Sequence, residues 1–149
     1  PVMNTRKHAS FFIESLVLTL LLLVSMTVLI QLFGQARSQS EEAHMTNVAV
    51  TIARSTKACL AASDDRTDFF SLIGEGQTPV EDESDRTIWQ VDENGVPKED
   101  GTYKLEVCYH EKDQVTGSGW LDVVEISVYA GNGAEPLYTL ESQKYRPGA

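Results

Sequence analysis

The sequence predicts an α+β fold, in which a long N-terminal helix, half transmembrane and half amphipathic, packs on a small C-terminal antiparallel sheet. The stretch from Phe11 to Phe33 is apolar, with Glu14 as its one charged residue. No proline interrupts the chain between Val2 and Thr78, so a helix can continue beyond the apolar run. The C-terminal half alternates apolar and polar residues between turn signals, and 149 residues suit one folded unit.

The apolar run is long enough to cross a bilayer as a helix, since roughly 20 residues suffice. We therefore assign residues 1–9 to a short basic leader, 10–34 to a transmembrane helix and 35–149 to a head. Arg6 and Lys7 are expected to hold the leader in the cytoplasm. The expected localisation is a single-pass cell-membrane protein with its head outside.

Three kinds of membrane segment fit such a run. A secretory signal peptide has an apolar core of about 7–15 residues followed by a small-residue cleavage site. Here the run is longer, and Gly34–Arg37 after it is a poor site. A plain signal anchor and a leader cleaved before the run remain. Glu14 favours the cleaved leader, because burial of a carboxylate in a membrane costs free energy and therefore indicates a functional role. The alternative is that a Glu near the helix start extends its carboxylate to the membrane surface.

The segment that begins at Ala9 resembles the N-terminus of type IV pilins and pseudopilins. Members of this family carry a short basic leader, a small residue before the cleavage point, a Glu at the fifth mature position and an unbroken apolar helix. Cleavage between Ala9 and Ser10 puts Glu14 at that position. The sequence departs from the family pattern at Ala9, where Gly is usual, and at Ser10, where Phe is usual. Phe11 and Phe12 supply the aromatic bulk one position late.

The resemblance implies a structural subunit of a type IV pilus-like filament or a type II secretion pseudopilus. The departures at Ala9 and Ser10 favour a minor subunit over a major one. A prepilin peptidase would cut after Ala9 and methylate the Ser10 amine. Glu14 would pair with the amine of a neighbouring subunit, since two buried charges that are costly alone are tolerable together and set register. Implied partners are other pilin or pseudopilin subunits, the peptidase, an inner-membrane assembly platform and, before assembly, membrane lipid.

The alternative function is a signal-anchored extracellular binding domain that does not enter a filament. Such a protein would keep its leader, and Glu14 would be replaceable.

Within the head, residues 35–62 are predicted to continue the helix as its amphipathic half. Spacings of three and four predict a buried stripe: Met45, Val48, Ile52, Ser55, Cys59 and Ala62. The opposite face carries charged and polar residues: Arg37, Glu41, Glu42, Asn47, Arg54 and Lys57.

A variable loop is predicted for residues 63–86, with a short apolar insert at Phe69–Ile73. An antiparallel sheet of three or four strands is predicted over 87–146. Its strands are expected at Thr87–Val91, Thr102–Glu111, Trp120–Ala130 and Leu137–Tyr145. Alternation puts one set of side chains on the inner face: Tyr103, Leu105, Val107, Tyr109, Trp120, Val124, Ile126 and Val128.

Two cysteines beyond a membrane segment suit an oxidising compartment and one disulfide, between Cys59 and Cys108. The bond would close a loop of about 50 residues, worth roughly 4 kcal/mol. The alternative is two reduced, partly buried thiols. The strand pattern argues against the bond, because Cys108 shares a face with Lys104 and Glu106 while Cys59 lies on the buried stripe. A bulge or an edge position would be needed.

The net charge of −10 comes without a basic patch, so nucleic-acid binding is not indicated. No catalytic motif with usable spacing occurs, and we predict neither an enzyme nor a cofactor. The three histidines are scattered: His8, His44 and His110. Asp64, Asp65 and Asp68 could hold calcium with backbone carbonyls, but their spacing is not that of an EF-hand, so no metal site is predicted.

Overall fold

The computed structural model describes four stretches of the chain: 2–74, 80–82, 86–112 and 119–148. The predictions for the remaining positions, in the leader, the variable loop, the sheet region and the C-terminus, lie outside the described residues: 1, 75–79, 83–85, 113–118 and 149. The chain forms two compact units, Pro1–Glu42 and Ala43–Ala149.

Helix α1, Val2–Ala62, supplies the described residues of the first unit and the first element of the second. The absence of proline keeps the backbone N–H groups available for the helical hydrogen-bond ladder. The predicted long N-terminal helix is confirmed, and it begins before Ser10, so the described part of the predicted leader is helical as well. By length and composition, Thr5–Ala62 is apolar and long enough to cross a membrane.

Helix α2, Arg66–Ile73, lies where the sequence predicted a loop over 63–86. The loop prediction was wrong for this stretch, because the apolar insert folds as the inner side of a short helix that buries Phe69 and Ile73. The helix ends at Gly74, whose N–H donates to the carbonyl of Phe70 at 3.1 Å.

An antiparallel sheet follows, with its strands in chain order. Its strands are β1 Val80–Asp82, β2 Arg86–Val91, β3 Tyr103–Lys112, β4 Gly119–Ala130 and β5 Tyr138–Pro147. The four long strands correspond to the predicted ones, and the three-residue edge strand β1 was not predicted. Strand β5 reaches Pro147, beyond the predicted end at Tyr145, since proline is tolerated at the end of an edge strand. The α+β layout is thus confirmed.

One face of the sheet carries the core of the second unit. The inward residues predicted for β3 are all at most 4% exposed: Tyr103, Leu105, Val107 and Tyr109. In β4, the predicted inward residues Val124, Ile126 and Val128 are fully buried. Trp120 is 40% exposed instead, because it stands near the end of β4, opposite Arg146 near the end of β5.

The stripe that α1 contributes to this core differs from the predicted one. The fully or nearly buried helix residues are Ala49, Ile52, Ala53, Thr56 and Leu60. Ser55 and Ala62 are exposed, so that part of the prediction was wrong. The small Ala49 and Ala53 let the helix approach the core closely, which turns the buried face away from Ser55. The predicted polar face is exposed.

Candidate functional site

The first unit presents a continuous apolar surface. Every described side chain from Thr5 to Glu42 is exposed, and the large apolar side chains between Phe11 and Phe33 are 48–75% exposed. Soluble monomers rarely expose apolar patches larger than a few hundred Å². A surface of this kind calls for lipid or for other apolar helices to cover it.

Three hydroxyl groups within the apolar run are satisfied by the helix itself. Thr19 Oγ1 donates to the Ser15 carbonyl at 2.8 Å, and Ser25 Oγ donates to the Leu21 carbonyl at 2.8 Å. Thr27 Oγ1 makes the same contact one turn back, at 2.9 Å. Such bonds to the preceding turn remove the need for water around these hydroxyls. The three polar residues are therefore compatible with an apolar environment.

Glu14 is the one charged residue between Phe11 and Phe33. Its side chain is exposed, and none of the ion pairs among the described residues involves it. Ser10 lies one helical turn before Glu14 and shares its face of α1. Phe11 and Phe12 stand beside them, 70% and 75% exposed. A carboxylate in apolar surroundings is costly unless a cation or a hydrogen-bond donor reaches it.

The predicted leader residues belong to the same segment. Arg6, Lys7 and Ala9 are helical and exposed, within α1 and on the N-terminal side of Glu14. All predicted processing and assembly residues therefore lie on one short stretch of helix, with basic groups first, the carboxylate next and the apolar run after it.

The two cysteines are free thiols, so the disulfide considered between Cys59 and Cys108 is not formed. Cys59 packs against the core, whereas Cys108 lies on the opposite face of the sheet, paired across the strands with Arg86 and Glu125. The strand alternation explains the separation, and no bulge reverses it. Burial raises the pKa of both thiols.

The electrostatics around Cys108 add to the effect of burial. The nearby carboxylates of Glu106 and Glu125 raise the pKa of this thiol further, while the Arg86 guanidinium lowers it. A raised pKa keeps the thiol protonated and unreactive, since the thiolate is the nucleophile and the metal ligand.

The acidic cluster considered for calcium caps helix α2. Asp65 Oδ1 accepts from the Asp68 N–H at 2.7 Å, and Asp68 Oδ2 accepts from the Asp64 N–H at 2.9 Å. Asp65 thus caps a donor that the first turn of the helix leaves unpaired, and Asp68 binds the N–H of the residue just before this cap. In the part of the chain that the structure describes, no three His, Cys, Asp or Glu residues are grouped to hold a metal ion. The histidines are on α1 and β3: His8, His44 and His110.

Sequence reasoning missed a buried polar cluster in the second unit. Asp122 is 0% exposed and accepts from the Tyr109 hydroxyl at 2.7 Å and from Arg146 Nη2 at 3.0 Å. The sequence feature that could have indicated this cluster is Asp122, a carboxylate at an inward position of β4 between Trp120 and Val124. A polar residue at such a position requires buried partners.

Comparison of the chain with protein-family models, with curated proteins and with solved structures finds no match. The structure itself shows a long N-terminal helix with an apolar stretch, and an antiparallel sheet whose core lies between the sheet and the helices.

Proposed function

We propose that the chain is a structural subunit of a type IV pilus-like filament or of a type II secretion pseudopilus. The observation that carries this proposal is Glu14, a single charge in an exposed apolar helix, at the fifth position after Ala9. In this function the leader is removed between Ala9 and Ser10 by a prepilin peptidase. The apolar helix then leaves the lipid and packs with the helices of other copies on an inner-membrane assembly platform.

The chemistry of the assembly step follows from the position of the charge. Cleavage creates an α-amine at Ser10, one turn from the Glu14 carboxylate. Each group is costly in an apolar surrounding, and together they form a hydrogen-bonded ion pair. An amine of one copy that pairs with the carboxylate of its neighbour fixes the register between the two helices. Lipid and apolar helices solvate side chains almost equally, so packing and such polar contacts select the partner.

The rest of the first unit supports storage in a membrane before assembly. Thr19, Ser25 and Thr27 bind their own backbone and add little to the cost of insertion. Arg6 and Lys7 orient the helix with its N-terminus in the cytoplasm. The head in this function lies outside the cell membrane, on the far side from the leader.

The mature N-terminus tests the processing step. We expect mass spectrometry of protein isolated from its native membrane or from sheared filaments to find a chain that begins at Ser10 with a methylated amine. A chain that still carries Arg6 and Lys7, in a strain with an active prepilin peptidase, would overturn the proposal. That result would favour a signal-anchored extracellular binding domain.

A variant pair tests the assembly step. Glu14→Ala is expected to remain in the membrane but to be lost from the sheared filament fraction, as measured by immunoblot of both fractions. Glu41→Ala is the matched control, because Glu41 is exposed on the same helix and pairs with Arg37 at 3.2 Å. Equal incorporation of the Glu14→Ala and wild-type chains would contradict the proposed pairing.

A further inference from the structure

The C-terminal end of α1 has no stop signal of its own. No basic residue lies in its last turn, and the residue after Ala62 is Ser63 rather than glycine. The last four carbonyl groups of a helix lack partners within the helix. Ser63 covers part of this need, since its N–H donates to the Cys59 carbonyl at 3.0 Å and its hydroxyl to the Leu60 carbonyl at 2.8 Å. The remaining acceptors require a donor from elsewhere.

Lys144 of β5 supplies that donor from 84 positions further along the chain. Its Nζ donates to the Leu60 carbonyl at 3.0 Å, to the Ala61 carbonyl at 3.4 Å and to the Ser63 carbonyl. An ammonium group has three protons, so these three acceptors satisfy it. A cation at this place also interacts favourably with the negative end of the helix dipole.

Strand β5 is held in two different ways along its length. Its first half contributes Tyr138 and Leu140, which pack against the apolar core. Its second half points polar groups inward, and Lys144 and Arg146 carry the charge. Arg146 binds the buried Asp122, while Lys144 donates to the last turn of α1 and to the Ser63 carbonyl that follows it. The second half therefore depends on α1 for the satisfaction of a half-buried ammonium group.

We propose that the segment 142–147 of β5 is a strap that opens and closes together with the last turn of α1. When the helix end frays, Lys144 loses its three acceptors and must return to water. When the strap lifts, the Ala61 carbonyl loses the Lys144 donor and the Leu60 carbonyl keeps only the Ser63 hydroxyl. Each event removes contacts that help to keep the other segment closed, so the two segments form one local unfolding unit. This coupling lies within the second unit and does not depend on filament assembly.

Hydrogen exchange followed by mass spectrometry tests the coupling on the full chain in detergent. Lys144→Met keeps much of the stem of the side chain and removes the donor. We expect amides in 59–63 and in 142–146 to exchange roughly 10- to 100-fold faster, the factor that corresponds to loss of a hydrogen bond to a charged group. Amides of β2 and β3 keep their rates. Lys104→Met is the control, because Lys104 lies over the Tyr129 ring, at 4.3 Å, on the face of β3 opposite its buried inward residues.

A reciprocal variant separates coupling from simple loss of stability. Ala61→Gly weakens the last turn of α1 by about the helix propensity difference of Gly and Ala, and it leaves Lys144 in place. If the two segments are coupled, amides in 59–63 exchange about fivefold faster in this variant, and amides in 142–146 are accelerated by the same factor. Unchanged exchange in 142–146 would overturn the proposal, as would an equal acceleration of all amides of the head in either variant.

Discussion

Arg146 reaches diagonally from β5 to Asp122 on β4, with its Nε 2.6 Å from Oδ2 and its Nη2 3.0 Å from Oδ1. Tyr109 on β3 donates its hydroxyl to the same carboxylate at 2.7 Å. Three neighbouring strands therefore share one fully buried anion. Since β5 is the edge of the sheet, this contact fastens its last residues to the core.

Replacement of Asp122 by alanine is expected to lower the free energy of unfolding by about 3–5 kcal/mol, because it removes the carboxylate that the half-buried Arg146 guanidinium and the Tyr109 hydroxyl contact. Asp122→Asn is expected to cost less, since the amide oxygen still accepts from Tyr109. Urea unfolding of the full chain in detergent, followed by the fluorescence of the buried Trp89, measures both. Glu125→Ala is the control on the exposed side of the same strand, where loss of the repulsion from Glu141 does not lower the free energy of unfolding. A loss below about 1 kcal/mol for Asp122→Ala would contradict the importance of this contact.

A pair of like charges lies on the outer face of the sheet. Glu125 and Glu141 are directly opposite each other on β4 and β5, and both are exposed. Like charges in that position repel, so Glu141→Lys is expected to raise the free energy of unfolding by about 0.2–1 kcal/mol. Added salt should shrink the gain. Gln143→Lys is the control, because it places a lysine on the same face of β5, opposite the uncharged Val123. An equal gain from the control would show that the pair is irrelevant.

The first unit could be predicted from sequence because its features are local. The apolar run, the absence of proline and the spacing of Ala9, Ser10 and Glu14 can all be seen within one continuous stretch of sequence that forms one helix. Tertiary contacts decide the rest. The buried stripe of α1 includes Ala49 and Ala53, because small residues allow close packing. A prediction based on the spacing of larger apolar residues overlooks such positions.

Long-range polar contacts were beyond sequence reasoning for a different reason. Lys144 and Leu60 are 84 positions apart, and nothing in the alternation of β5 indicates that an inward lysine meets the end of a helix. The position of Cys108 shows the opposite case. Its place beside Lys104 and Glu106 on one strand face already argued against a bond to Cys59, and the register bears that out.

Two glycines should respond to alanine in opposite directions. A Cβ on Gly101 would lie 2.5 Å from the backbone N and O of Val91, and a paired strand cannot move aside. Gly101→Ala is therefore expected to lower stability by about 1–3 kcal/mol, as overpacking does. Gly34 has no atom within 4 Å of such a Cβ, so Gly34→Ala should stabilise the helix by about 1 kcal/mol. Thermal melts by circular dichroism give both values. A stabilising Gly101→Ala would contradict the geometry.

The thiols make stability depend on pH in the alkaline range. Burial raises the pKa of Cys59 and Cys108 above the ordinary value of 9.0. The folded chain then holds its thiol protons at a pH where the unfolded chain has lost them. The stability that the neutral thiols contribute is present below pH 9.0 and is lost as the pH rises through the folded-state pKa values.

Urea unfolding between about pH 8 and about pH 10 checks this dependence, with a Cys59→Ala, Cys108→Ala double variant as the reference. The free energy of unfolding of the wild type should fall with pH more steeply than that of the variant. Burial also raises the pKa of Tyr103 and Tyr129 above 10.0, and Cys108 adds to the effect at Tyr129. The difference between the two chains therefore reports the thiols together with the effect of Cys108 on Tyr129. Identical slopes, or alkylation of the folded thiols by iodoacetamide as fast as that of free cysteine, would contradict the raised pKa values.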